Sequence, residues 1–268
     1  MSNRLDTTFA RLRAGKRKAF VAYISAGDPH LDATPSLVLA LARAGADVIE
    51  LGVPFSDPLA DGVVNQLAAQ RALEAGTTLP KLLRTIAEIR KETEVPIVLF
   101  TYLNPLLRNG LAATLRQARD AGADGALVLD LPVEEALGHD VFPDDFRRIQ
   151  LIAPTTPPER LEAIARAATG FIYYVSREGV TGMQSQVSSG VGTQVAAIRA
   201  RTGTPVCVGF GVSNPEQARA VAGTADGVVI GSALVNQIAQ LGKDPQLAEK
   251  FEAFVRPFAE AIHGVQGV

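Results

Sequence analysis

Short runs of apolar and β-branched residues alternate along this chain with longer stretches in which apolar residues recur every three or four positions. The short runs predict eight strands, at residues 19–25, 47–52, 96–102, 125–130, 149–153, 170–175, 205–209 and 227–230. The longer stretches predict helices near 33–44, 63–75, 78–93, 110–121, 133–138, 158–168, 190–202, 214–222 and 232–240. Because strands and helices alternate, the strands should pair in parallel through right-handed crossovers.

This order of elements predicts an α/β fold, a single (β/α)8 TIM barrel that takes up residues 1–268 as one domain. Two further helices fall outside the eight units. An amphipathic N-terminal segment with Leu5, Phe9 and Leu12 should plug the bottom of the barrel. A C-terminal helix near 246–262 should pack on the outside.

Composition narrows the class of protein. A net charge of −2 gives no electrostatic reason to expect nucleic acid or an anionic membrane as a partner. The single cysteine, Cys207, rules out an internal disulfide and fits a reducing compartment. No apolar stretch approaches the roughly 20 residues that cross a bilayer, and the start of the chain carries no secretory signal. We therefore expect a cytoplasmic globular protein.

The second predicted strand carries an acidic residue into the interior. Strand alternation places Val48, Glu50 and Gly52 on one face and apolar residues on the other. Burial raises the pKa of a carboxyl group and suits Glu50 to proton transfer near neutral pH. The alternative is a structural Glu50 paired with a buried arginine, although no arginine lies near it in sequence.

A proline-rich acidic loop follows this strand and brings Asp57 and Asp61 within reach of the same pocket. A second acid facing Glu50 is therefore predicted. The same alternation turns four aromatic residues inward, where they either line an apolar pocket or simply pack the core: Tyr23, Phe100, Tyr102 and Tyr173.

Glycines at the ends of the last two strands predict a phosphate site. GFG at 209–211 follows strand seven, and GS at 231–232 opens a helix after strand eight. Backbone N–H groups and a helix N-terminus there attract an anion. After strand six, a long polar segment at 176–189 with Gly179 and Gly182 as hinges predicts a mobile lid. None of the six lysines falls where a Schiff base would form, and the three histidines show no metal-ligand spacing, so no metal is expected.

These features together resemble the tryptophan synthase alpha subunit family. The matching blocks run in order from about residue 20 to 235: GDP at 27–29, ELGVPFSDPLADG at 50–62, YLN at 102–104, DLPVEE at 130–135, IAP at 152–154, SREGVTG at 176–182, GFG at 209–211 and GS at 231–232. One departure is visible at 63–65, where VVN stands in place of the more usual proline and apolar or β-branched pair.

The resemblance implies a lyase of tryptophan biosynthesis that cleaves indole-3-glycerol phosphate by a retro-aldol reaction. It implies Glu50 as proton shuttle and Asp61 as acceptor of the indole N–H. The implied substrate-binding residues are Tyr23, Phe100, Tyr102, Tyr173, Thr181, Gly182, Phe210, Gly211, Gly231 and Ser232.

The resemblance also implies a partner, a beta subunit that joins indole to serine in an α2β2 heterotetramer. Pyridoxal phosphate would belong to that partner, and this chain would carry no cofactor. The implied contacts with the beta subunit are Pro54, Asp57, Asn104 and Pro105. Three alternatives remain open: a stand-alone indole-3-glycerol-phosphate lyase, a barrel kept only as an activator or scaffold, and an epimerase or isomerase of phosphorylated sugars.

Overall fold

Eight parallel strands close into a barrel in the computed structural model, which describes residues 3–135, 141–176, 184–209 and 211–267. Each strand pairs with the next along the chain, and β8 pairs with β1 to close the ring. The strands are β1 Ala19–Ser25, β2 Val48–Gly52, β3 Ile97–Thr101, β4 Gly125–Val128, β5 Arg147–Ile152, β6 Ile172–Val175, β7 Val206–Gly209 and β8 Gly227–Ile230. The predicted TIM barrel is confirmed.

Helices follow the strands and form the outer layer. They are α1 Arg4–Ala14, α2 Thr34–Ala44, α3 Val63–Glu74, α4 Leu79–Ile89, α5 Leu103–Leu107, α6 Leu111–Asp120, α7 Pro158–Ala167, α8 Gln184–Arg199, α9 Pro215–Ala222, α10 Ser232–Leu241 and α11 Leu247–His263, with a 3-10 turn at Leu31–Ala33. Within the part of the chain that the structure describes, no helix is long and apolar enough to cross a membrane.

Two hydrophobic layers hold the barrel together. The larger lies between the strands and the outer helices, and the smaller fills the barrel interior with residues such as Val48, Val98 and Phe171. Leu5 and Phe9 of α1 belong to the interior cluster, so this helix closes the bottom of the barrel as predicted. Helix α11 packs on the outside against α2 and α9, also as predicted.

The structure differs from the predicted elements at three places. Residues 133–135 form a turn rather than the start of a helix, and 136–138 lie outside the described residues. Helix α8 begins at Gln184, so the prediction of a helix start near residue 190 is wrong, while residues 177–183 of the predicted lid lie outside the described residues. Its polar first turns are helical because Val195 and Ile198 further along are fully buried, and tertiary packing outweighs weak local propensity. Helix α5 was not predicted because Pro105 lies within it.

Candidate active site

Glu50 lies at the centre of β2, between Tyr23 of β1 and Val98 of β3. Its neighbour Val48 belongs to the interior cluster, whereas Ile49 and Leu51 belong to the outer layer. The carboxyl group therefore points into the barrel, as strand alternation predicted, and the residue is 0% exposed.

Within the described part of the chain, the Glu50 carboxyl group differs from the other buried acids in having no hydrogen-bond partner. Among the residues described, four carboxylates are buried: Asp28, Asp47, Glu50 and Asp124. Three of them accept hydrogen bonds from an arginine, a histidine or a backbone amide. Both oxygens of Glu50, by contrast, have no hydrogen-bond partner in the described part of the chain. Among the residues described, no arginine pairs with Glu50.

Burial without compensation changes the proton affinity of this group. Desolvation raises the pKa of Glu50 to about 8. Removal of water penalises the charged form, and within the described part of the chain no cation offsets this penalty. At neutral pH the Glu50 carboxyl is therefore protonated, which is the state that a general acid needs.

The second acid, Asp61, is held by side chains from two other elements. The Tyr102 hydroxyl donates to Asp61 Oδ2 at 2.8 Å, and Asn65 Nδ2 donates to Oδ1 at 3.5 Å. The backbone N–H of Ala60 donates in turn to the Tyr102 hydroxyl at 2.9 Å. Burial raises the pKa of Asp61, while the bonds from Tyr102 and Asn65 lower it. Burial is the larger effect, so the pKa of Asp61 lies above its ordinary value, and the two hydrogen bonds limit the rise.

Aromatic rings line the space between these acids. The Tyr23 and Phe100 rings lie 4.9 Å apart edge to face, and the rings of Phe100 and Tyr173 lie 6.5 Å apart. A side chain at Gly209 would collide with the Tyr173 hydroxyl, so glycine there leaves room for the ring. Burial, followed by the charges of Asp61 and Glu50, raises the pKa of Tyr23 well above its usual value. The predicted acids and these aromatic residues therefore share one site.

The two glycine turns predicted to bind phosphate follow β7 and β8. Gly211 comes after β7 with a φ of 63°, in the left-handed region that glycine adopts readily. Gly231 is the N-cap of α10, and Ser232 is its first residue. No side chain caps this helix start, so its first N–H groups are available to an anion. Thr181, Gly182 and Phe210 lie outside the described residues.

A groove lies beside the site, next to the acidic loop. It has a volume of about 520 Å³, and three of the four predicted partner contacts, Pro54, Asn104 and Pro105, line it. The fourth, Asp57, is exposed and accepts a hydrogen bond from the Ser56 hydroxyl. Apolar side chains are exposed close by in sequence: Leu59 is 93% exposed and Leu107 is 49% exposed.

Two contacts at this face were not predicted from the sequence. Asp130 accepts a hydrogen bond from the backbone N–H of Leu103 at 2.6 Å, so it holds the loop at the start of α5. Asn65 stands in the sequence only as part of the VVN departure at 63–65, and Asp61 lies before the start of α3, so no helical spacing links the two residues. Nowhere in the described ranges are three His, Cys, Asp or Glu side chains grouped as a metal site requires.

The family model for the tryptophan synthase alpha chain matches residues 9–263. This chain belongs to the tryptophan synthase alpha chain family. Its relatives include the tryptophan synthase alpha chain of Opitutus terrae, 51% identical over 94% of this chain and 96% of the relative. The alpha chain of Geobacter sulfurreducens is 48% identical over 97% of this chain and 99% of the relative.

Solved structures agree with this family assignment. Tryptophan synthase subunit alpha from Legionella pneumophila str. Paris superposes with a TM-score of 0.91 at 37% identity, covering 99% of this chain and 100% of that one. Tryptophan synthase from M. tuberculosis in its aminoacrylate-bound form superposes with a TM-score of 0.84 at 32% identity, covering 97% and 100%. As an alpha chain, the protein is a lyase subunit of the tryptophan synthase enzyme.

The pKa of Glu50 predicts a specific pH dependence of stability. In the folded alpha chain this pKa is about 8, against an ordinary value of 4.5. Between those pH values the folded state holds one more proton than the unfolded state, so the Glu50 contribution to stability is full below this window. It falls by about 1.4 kcal/mol per pH unit as the pH rises through the window.

Glu50→Gln should abolish this dependence, because the amide does not ionise. Urea unfolding of both proteins across the window measures the effect. The stability of the variant relative to wild type should rise steadily with pH up to about 8 and then level off. A difference that stays constant with pH would contradict the assigned burial and protonation of Glu50.

Proposed function

We propose that this alpha chain cleaves indole-3-glycerol phosphate to indole and glyceraldehyde 3-phosphate. The observation that carries the proposal is the unpartnered carboxyl group of Glu50, whose pKa of about 8 makes it a proton donor at neutral pH. The second acid, Asp61, faces the same aromatic-lined pocket and contributes to the raised pKa of Tyr23 together with Glu50. Such a pair can divide two tasks, because one acid can protonate a ring carbon while the other accepts a hydrogen bond from the ring N–H.

In the proposed reaction Glu50 moves a proton twice. Its carboxyl group protonates C3 of the indole ring, and the ring becomes a cationic indolenine. The Glu50 carboxylate then takes the proton of the adjacent glycerol hydroxyl. The C–C bond breaks, its electron pair returns to the ring, and the hydroxyl carbon becomes the aldehyde of glyceraldehyde 3-phosphate. Glu50 ends protonated, so no external acid or base is consumed.

Asp61 stabilises the cationic ring in this scheme. An ionised carboxylate that accepts the indole N–H strengthens its interaction as positive charge develops on the nitrogen. Tyr102 orients Asp61 through the 2.8 Å bond to Oδ2. Tyr23, Phe100 and Tyr173 would flank the planar indole, because their rings pack together and both tyrosines lie near enough to feel the charges of Glu50 and Asp61.

The phosphate of the substrate would bind at the rim formed after β7 and β8. Gly211, Gly231 and Ser232 would supply backbone N–H groups, supported by the uncapped start of α10. Phe210 and Gly182 remain predicted contributors, and Thr181 with its neighbours a predicted lid. Binding of the phosphate at this rim would fix the glycerol chain so that its reacting carbon faces Glu50.

The proposal assigns no cofactor to this chain. Pyridoxal phosphate forms a Schiff base with a lysine amine, and among the described residues the only buried lysine is Lys18. It immediately precedes β1 at the bottom of the barrel, and its Nζ donates to the carbonyl oxygen of Ala225 at 2.8 Å. The family resemblance is what assigns pyridoxal phosphate to a beta subunit that receives the indole and makes L-tryptophan.

The proposed partner is that beta subunit, in an α2β2 assembly within the cytoplasm. The groove lined by Pro54, Asn104 and Pro105 is the proposed contact surface, since exposed apolar side chains such as Leu59 and Leu107 gain from being covered. The second candidate function is a stand-alone lyase. The full pair of acids within this one chain favours it, because the chemistry needs no residue from a partner.

Cleavage is tested by coupling the release of glyceraldehyde 3-phosphate to a dehydrogenase. The wild-type chain should release it from indole-3-glycerol phosphate. Glu50→Gln and Asp61→Asn should each lose activity on the order of a hundredfold or more, because one loses the proton donor and the other the anionic acceptor. Glu88→Gln, at an exposed position, is the matched control. Near-normal turnover by Glu50→Gln would refute the proposed role of this residue.

The partner is tested by adding a purified beta subunit to the same assay. If the groove is the contact surface, wild-type turnover should rise on addition, and Leu107→Asp should respond only at higher beta concentration while keeping its basal rate. Ala239→Asp, an exposed position on α10 outside the groove, controls for added charge. Turnover that is high alone and unchanged by the beta subunit would favour the stand-alone lyase.

A further inference from the structure

Asn65 contacts the second acid of the site from a different element than Tyr102 does. It lies in the first turn of α3, four residues beyond Asp61. Its Nδ2 donates to Asp61 Oδ1 at 3.5 Å, while the Tyr102 hydroxyl donates to Oδ2 at 2.8 Å. Each carboxylate oxygen of Asp61 thus receives one side-chain donor.

The orientation of the Asn65 amide is fixed by its neighbour. The reversed orientation would set the carbonyl oxygen against the Asp61 carboxylate, where two acceptors repel. With the donor facing Asp61, Asn65 Oδ1 is buried and has no hydrogen-bond partner in the described part of the chain. An apolar side chain of similar size would avoid this unsatisfied acceptor. The amide is therefore unfavourable for packing, and its benefit must come from the contact with Asp61.

The surroundings of Asp61 make these two donors important. Among the residues described, the titratable groups that share its pocket are Glu50 from β2, Tyr23 from β1, Tyr173 from β6 and Tyr102 after β3. None of these is a cation, and Asp61 forms no ion pair with any lysine, arginine or histidine of the residues described. Burial raises the pKa of Asp61, and the bonds from Tyr102 and Asn65 are the interactions that oppose it.

We propose that Asn65 is a positioning residue that holds the Asp61 carboxylate ionised, through the oxygen that Tyr102 leaves free, so that Asp61 accepts the indole N–H. This inference rests on the proposed cleavage of indole-3-glycerol phosphate. A carboxylate oxygen has two lone-pair directions, so Oδ1 can accept from Asn65 and from the indole N–H together. Asn65 thus acts through Asp61 and takes no part in the proton transfers.

Two variants separate this role from a packing role. Asn65→Leu keeps the size and removes the donor, and Asn65→Asp replaces the donor with a second carboxylate facing Asp61. The pH profile of kcat/KM should keep its shape while its acidic limb, where Asp61 takes up a proton, moves to higher pH. For Asn65→Leu the acidic limb should shift by roughly one pH unit, which is a tenfold loss of kcat/KM at pH values below the limb. For Asn65→Asp the shift should be larger, because two like charges repel each other.

Thermal melting provides the second readout. Asn65→Leu should melt at the same temperature as wild type or higher, because the unsatisfied oxygen is gone. Gln66→Leu is the matched control: Gln66 Nε2 donates to the backbone oxygen of Asp61 at 2.9 Å and leaves the carboxylate untouched. Its acidic limb should coincide with that of wild type.

The outcomes distinguish this inference from the function on which it rests. An active wild type with a shifted limb in Asn65→Leu and a larger shift in Asn65→Asp supports the inference. An active wild type whose acidic limb is unchanged in Asn65→Leu overturns it and leaves the proposed cleavage intact. A wild type that releases no glyceraldehyde 3-phosphate overturns both.

Discussion

One uncompensated carboxyl group governs this site. Glu50 is fully buried in the barrel wall and has no hydrogen-bond partner among the residues described, whereas the other buried acids are all bonded. The fold tolerates it because protonation removes its charge, and that same protonation is what the chemistry requires. The two parallel strands that flank β2 fix its backbone, so the acid is held in place by the barrel rather than by a partner side chain.

The second acid, unlike Glu50, is held by side-chain hydrogen bonds. Asp61 sits on a loop, partly buried, and donors from Tyr102 and Asn65 favour its charged form. Two carboxyl groups in one pocket thereby lie in different surroundings, and among the residues described neither contacts a basic side chain. The strand that carries Glu50 serves proton donation to a ring carbon. The loop that carries Asp61 serves stabilisation of the cation that results.

Hydrophobic periodicity was sufficient to predict the barrel, because a strand that is buried on both faces appears in the sequence as a short apolar run. It also placed Glu50 correctly, since alternation along β2 is a local property. It failed where tertiary contacts decide: the polar start of α8 is helical through packing further along, and α5 contains Pro105. The Asn65 contact was missed because an amide beside a loop acid gives no periodic signal, and its meaning depends on which oxygen it reaches.

The protonation state of Glu50 is the central claim, and direct titration measures it. Carbon-13 labelling of glutamate side chains, with Glu50→Gln used to assign the signal, follows the carboxyl carbon of this residue in the wild-type protein. The carboxyl carbon of Glu50 should show a single titration with a midpoint of about 8. A midpoint in the ordinary glutamate range, near 4.5, would contradict it.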